Sequence, residues 1–330
     1  MLNVNSRKCI RRLSGRSIKN NRTRNVIAVL AVILTAVMFT TLFTIGVSIM
    51  DAFQLSTMRQ VGTSAHAGFK FLTQEQYDIV KDDPEIKDIS YNILIGFGEN
   101  PEFAKKSVEI RYTEEKNAEW GFTVPTTGTL PQNRLDIATS TEVLDMLGLP
   151  HELGVQVPLE FTGAGGIKYN ETFTLCGFWE QDAVSPVCQA FLSREYSDEV
   201  APVWQETASA EEGNWWMSGS INPNIWFASS WDIEGQVESL KARCGFGEDV
   251  NAGVNWAYAS SEVDFTTVAM LAGILLLITF SGYMIIYNIF YISVSKDIRF
   301  YGLLKTIGTT NRQLKKLVRR QALLLGLIGT

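Results

Sequence analysis

The sequence predicts an α-helical transmembrane protein with an α+β domain inserted outside the membrane. Three observations lead there: charge sorted along the chain, two long apolar runs free of charge, and between them a 51–264 stretch that mixes helix and strand patterns. Of the 29 Lys and Arg, eight fall in residues 1–25 and eight in 296–320, while Asp297 is the one acid in either window. The other 34 acids lie between Asp51 and Asp264 against 13 bases, a net charge of −21 in a chain whose total is −6. A soluble domain mixes its charges, whereas a bilayer separates them and keeps Lys and Arg on the cytoplasmic side.

Residues 1–25 form a basic cytoplasmic segment in which Arg11, Arg12, Arg16, Lys19, Arg22 and Arg24 are candidates for contact with the membrane surface. Residues 26–50 contain no charge and 14 Val, Ile, Leu or Phe. On an insertion scale these favour the bilayer by about 4–8 kcal/mol before the Thr and Ser corrections. A helix of that length reaches about 37 Å, enough to span with some tilt. A cleaved signal peptide fits less well, because the run is long and the small-residue site Ala65-His66-Ala67 lies far beyond it.

Residues 51–264 are read as one extracytoplasmic domain with stalk ends at 51–62 and 255–264. Within it, Thr73 with Gln76 marks a capping box at the start of a helix over 73–83. SVEIRYT (107–113) alternates as a strand. TSTEVLDMLGL (139–149) reads as a short helix that Ser140 or Thr141 can cap and Gly148 can close. VQVPLEF (155–161) and ETFTLCGFW (171–179) read as strands joined by the turn GAGGIKYN. SSWDIEGQVESLKARCG (229–245) reads as a helix ending at Gly245.

Residues 265–294 form a second uncharged run, with Tyr283, Tyr287 and Tyr291 on one helical stripe, read as a packing face. Residues 295–320 return to the cytoplasm. There Phe300, Leu303, Leu304 and Ile307 recur at helical spacing, Gly308 suits a left-handed cap, and Thr310 with Gln313 opens a new helix. On that helix Leu314, Leu317 and Val318 face inward and Arg312, Lys315, Lys316, Arg319 and Arg320 face water and lipid headgroups. Residues 321–330 begin a third apolar run too short to span, so the chain reads as a piece of a longer protein.

Catalytic signatures are weak. GAGG lacks the GK[ST] of a phosphate loop, and His151-Glu152 lacks the second His of a zinc protease motif. His66 and His151 are the only histidines and are expected on the solvated surface. No Ser/His/Asp set is evident. Cys9 falls inside the cell, and Cys176, Cys188 and Cys244 outside, with Cys176 and Cys188 candidates for a disulfide across a turn near Asp182. Trp215, Trp216, Trp226 and Trp231 are read as packing, or else as an aromatic surface for a peptide or cell-wall ligand.

GTLPQNRLDIATSTEVLDMLGLPHELGVQVPLEF, then TFTLCGFW and QAFLS, resemble the extracytoplasmic core domain of MacB- and FtsX-type permeases. Leu135-Asp136 and Gly154-Val155 depart from the acidic residue and the G-D turn of that pattern. RRLSGRSIKNNRTRN resembles the amphipathic helix before the first span. Arg299, Gly302, Leu304, Ile307 and Gly308 match the cytoplasmic signature that precedes a basic amphipathic helix.

The resemblance implies a MacB-like periplasmic core fold and a permease subunit of an ABC transporter. ATP and Mg would then bind a partner ATP-binding subunit, in two copies, and this chain would hold no cofactor and be no enzyme. Arg299, Phe300, Gly302, Leu303, Leu304, Lys305, Ile307, Gly308 and Thr310 are the implied docking residues. Further implied partners are a second permease copy or half, membrane lipids, and an extracytoplasmic peptide, lipid or cell-wall hydrolase; nucleic acid is not among them. Export, extraction from the lipid phase and antimicrobial-peptide resistance are the implied roles. A divisome-type activator of a cell-wall hydrolase and a membrane sensor without an ATPase stand as alternatives.

Overall fold

The computed structural model describes residues 12–16, 18–19, 22–206, 214–258, 265–296 and 298–329. Arg11, Cys9 and the stalk residues 259–264 lie outside these, as does the side chain of Arg24. Contacts divide the chain into two units, residues 51–262 and the rest.

Helix α1 (Arg22–Val61) contains the first apolar run. The domain then reads β1 (Ala67–Lys70), α2 (Gln74–Lys81), β2 (Ile86–Phe97), β3 (Val108–Thr113), α3 (Glu115–Trp120), β4 (Thr127–Gly128), β5 (Asp136–Ser140) and α4 (Thr141–Met146). It continues with β6 (Gln156–Thr162), β7 (Lys168–Trp179), β8 (Cys188–Leu192), α5 (Arg194–Val200), β9 (Ile221–Phe227), α6 (Ile233–Cys244) and β10 (Asn251–Val254). After it come α7 (Phe265–Lys296), α8 (Ile298–Thr306) and α9 (Asn311–Gly329). Among the described residues, Asn25–Val61 is the one helix long and apolar enough to cross a membrane, and Ala272–Asn288 is a shorter apolar stretch.

One sheet of ten strands runs β10-β1-β9-β2-β3-β8-β5-β7-β4, with β6 on β7. The pairs β3–β8 and β5–β7 are parallel and the others antiparallel. The sheet serves two cores. Phe69, Leu72, Ile93, Ile225 and Phe227 bury one against α2 and α6. Ile110, Ile137, Leu159, Phe161, Phe173 and Tyr196 fill the other.

The second core sits inside a sheet that curls back on itself. The end of β2 meets β6 through a Gly98–Phe161 bridge and a Glu99 N–H donated to Glu160 O. Asn100 seals the seam, its Nδ2 donating to Pro158 O and its Oδ1 accepting from the Glu160 N–H. Gly96 permits this approach, since a Cβ there would stand 2.6 Å from the Thr162 carbonyl oxygen. β6 alternates as its sequence requires, with Val157, Leu159 and Phe161 inward and Gln156, Pro158 and Glu160 outward.

Local signals match the structure at several ends. Thr73 Oγ1 accepts from the Gln76 N–H while Gln76 Oε1 accepts from the Thr73 N–H. Gly148 (φ 67°) and Gly245 (φ 70°) close α4 and α6 in the left-handed region. At the start of α4, neither Ser140 nor Thr141 caps: Ser140 makes no cap bond, and Thr141 Oγ1 accepts from the Gln181 N–H instead.

Candidate functional site

α8 is nine residues long, and Gly308, two residues past its last turn, stands at φ 96°. A non-glycine residue there would be strained, so the glycine fixes where the chain turns. Thr310 and Gln313 then form the reciprocal pair that starts α9: the Gln313 N–H donates to Thr310 Oγ1, and the Thr310 N–H donates to Gln313 Oε1 at 3.0 Å.

Of the four apolar residues read as one face of α8, two are strongly exposed, Leu303 at 64% and Ile307 at 81%. Phe300 and Leu304 are half-buried, and Phe300 packs beside Tyr301 with ring centroids 5.7 Å apart. Arg299, Gly302, Lys305, Gly308 and Thr310 are exposed. Leu317 of α9 is buried, Leu314 and Val318 are half-buried, and Arg312, Lys315, Lys316 and Arg319 are exposed, with Arg320 intermediate.

Between α8 and α9 lies an open groove of about 730 Å³. α8 supplies Ile298, Tyr301, Gly302 and Lys305 to it, and α9 supplies Asn311, Leu314, Lys315, Val318 and Arg319. Ile298, Tyr301 and Asn311 were not legible as site residues, because a helical stripe shows which residues share a face but not what a neighbouring helix brings opposite it. The Tyr301 hydroxyl lies 3.4 Å from Gln321 Oε1, linking the two helices.

In the same unit, residues 12–16 and 18–19 are helical; Arg12, Arg16, Lys19 and Arg22 are exposed, and Asn25 Nδ2 donates to Ile18 O at 2.7 Å. Gly282 of α7 is buried, and a Cβ there would meet the Phe39 ring at 2.4 Å. Small residues let apolar helices approach in this way. Tyr283, Tyr287 and Tyr291 stack along α7 with centroids 5.9 and 6.0 Å apart and remain exposed.

The two ends of the 51–262 domain are tied to each other. Asn255 is buried and donates through Nδ2 to Thr63 O and Ala65 O. The Tyr258 hydroxyl donates to Ser64 O. Arg59, near the end of α1, pairs with Asp182 in the β7–β8 loop and lies over the Phe122 ring. The guanidinium holds the Asp182 carboxyl below the usual carboxylate range.

Two expectations are corrected here. His66 is not on the solvated surface. It is 4% exposed, packed among Trp226, Phe227 and Tyr258, and its Nδ1 accepts from the Phe227 N–H. Burial, with the Lys87 charge as a lesser cause, lowers its pKa. His151 is exposed, with Nε2 2.9 Å from Asp145.

Cys176 and Cys188 are both free thiols, because β5 lies between their strands. Cys176 Sγ donates to Ile137 O, and burial pushes that thiol up to about 12 and Cys188 up to about 11. Trp216 packs on Phe71 and Trp226 on His66, while Trp231 is exposed. Among the described residues no group of three or more His, Cys, Asp and Glu is placed to hold a metal ion.

Residues 271–330, which include most of α7 and all of the described α8 and α9, match the family described as FtsX-like permease C-terminal. No curated protein matches the chain. Among solved structures, the chain is similar to the extracellular domain of the noncanonic ABC-type transporter YknZ from Gram-positive bacteria. The identity is 9% and the TM-score 0.36, over 57% of this chain and 99% of that one. A domain of a putative permease from Porphyromonas gingivalis gives 13% identity and TM-score 0.33, over 58% of this chain and 88% of that one. The periplasmic region of MacB from Actinobacillus actinomycetemcomitans gives 12% identity and TM-score 0.36, over 63% of this chain and 96% of that one.

Proposed function

We propose that this chain is the membrane subunit of an ABC-type transporter, in which a separate ATP-binding subunit grips α8 and drives motion of the 51–262 domain outside the cell. One observation carries the reading: the part of the chain that matches FtsX-like permeases contains a short helix, closed by Gly308, whose Leu303 and Ile307 stand exposed. An exposed apolar pair on a short capped helix is costly in water and fits a partner's groove. The basic windows at 1–25 and 296–320 support a cytoplasmic location for α8, and the acidic domain then falls outside. ATP with Mg binds the partner, two copies of which would close on each other. The pairing of stalk ends by Asn255 and Tyr258 supports transmission, because a pull on one end is felt by the other.

The test is association and ATP turnover in the reconstituted complex. Leu303→Asp with Ile307→Asp should abolish co-purification of the ATP-binding subunit while the chain remains inserted. Unchanged assembly and unchanged ATP turnover would refute the docking role.

A further inference from the structure

At about 100° per residue, the residues of α8 divide between two opposite sides. Leu303 and Ile307 lie on one. Ile298, Gly302 and Lys305 lie on the other and line the groove against α9. Gly302 and Lys305, which the resemblance placed among the docking residues, thus face the groove and not the side that Leu303 and Ile307 present.

We infer that this groove is a binding site for the headgroup of an anionic phospholipid of the cytoplasmic leaflet. The inference rests on the cytoplasmic placement of α8 argued above. Among the described residues its lining contains three cations, Lys305, Lys315 and Arg319, and no acid. That charge selects an anion. The same lining offers Leu314 and Val318, which an inorganic anion or a soluble acidic metabolite would leave uncovered but a glycerol backbone and acyl chain would cover.

The groove is open, as a ligand continuous with a bilayer requires, and its volume of about 730 Å³ is that of a small-molecule site. Beyond it α9 turns apolar, with Leu323, Leu327 and Ile328 exposed. The space beside Gly302 is open, with nothing within 4 Å of where a Cβ would stand among the described residues. Arg319 is suited to a phosphate by its fork of N–H donors, and the two lysines act as point charges. Asn311 adds an amide able to meet a glycerol or serine headgroup.

The experiment uses the full chain, purified in detergent and titrated with dioleoylphosphatidylglycerol or dioleoylphosphatidylcholine, with bound lipid counted by native mass spectrometry. Phosphatidylglycerol should be retained at least about tenfold more tightly, given three cations at the headgroup. Gly302→Trp, which fills the groove without changing charge, and Lys315→Gln with Arg319→Gln should each bring retention down to the phosphatidylcholine level. Leu303→Asp with Ile307→Asp should leave it unchanged, so failure of the docking reading and failure of this one are read separately.

Equal retention of the two lipids, or full retention by Gly302→Trp, would overturn the assignment. So would displacement by millimolar inorganic phosphate, which would mark a free-phosphate site. Loss of the ATP-binding subunit in the groove variants with lipid retention intact would mark a protein interface and overturn it equally.

Discussion

Asn255 Nδ2 donates to the carbonyl oxygens of both Thr63 and Ala65, at 2.7 and 2.9 Å, and so joins the two ends of the 51–262 domain through one buried amide. The backbone closes the same knot, with the Asn255 N–H donated to His66 O.

Asn255→Ala should destabilise the domain by about 2–3 kcal/mol, because it leaves two carbonyl groups buried without that donor. A thermal melt of the full chain in detergent reads the loss. ATP-stimulated turnover should fall further than in an equally destabilised variant elsewhere, such as Leu159→Ala. If the two variants behave alike, the tie has no role in transmission.

Acid should weaken the same knot. The folded-state pKa of His66 is lowered, so the unfolded chain binds its proton first. The neutral imidazole costs nothing above the unfolded value near 6.5, and stability falls as pH drops below it. The melting temperature should therefore fall more between pH 7.5 and 5.5 in the natural chain than in His66→Phe. Equal slopes would show that His66 does not titrate in that window.

Arg59→Ala should cost at most about 1 kcal/mol, since the Arg59 side chain is 42% exposed and its pairing with Asp182 is screened by water. Its effect should be local, seen as faster amide exchange at 180–187 with the melt almost unchanged. The charge swap Arg59→Asp with Asp182→Arg should restore protection.

Gly282→Val should separate α1 from α7 at Phe39, at a cost of about 1–3 kcal/mol from overpacking. A cysteine pair placed at positions 39 and 282 should cross-link in the natural packing. No cross-link would place these helices apart.

Cys176 and Cys188 should resist alkylation at pH 7.5 until the chain is denatured, their thiols being held protonated near 12 and 11. A shift on a non-reducing gel after brief denaturation without reductant would instead reveal a bridge.

Segments whose structure depends on near neighbours were legible. The capping box at Thr73 and Gln76, the left-handed Gly148, Gly245 and Gly308, and the hairpin of β6 and β7 follow from propensity and backbone sterics acting over a few residues.

Long-range placement was not legible. His66 sits in an apolar-sided turn that gives no sign of the Trp226 and Tyr258 rings brought from more than 150 residues away. Cys176 and Cys188 flank a turn, yet the chain inserts β5 between them, and nothing in the spacing of two cysteines reveals an intervening strand.

The sequence by itself determined charge sorting, apolar runs, caps and turns, because these arise from each residue's solvation and its local dihedral freedom. Only the tertiary structure decided which strands adjoin, that Asn255 grips Thr63 and Ala65 at the other end of the domain, and that Lys305 shares a groove with Lys315 and Arg319. Those relations depend on contacts between residues distant in the chain. Their free energy comes from burying surfaces and polar groups together, and no short window of sequence contains both partners.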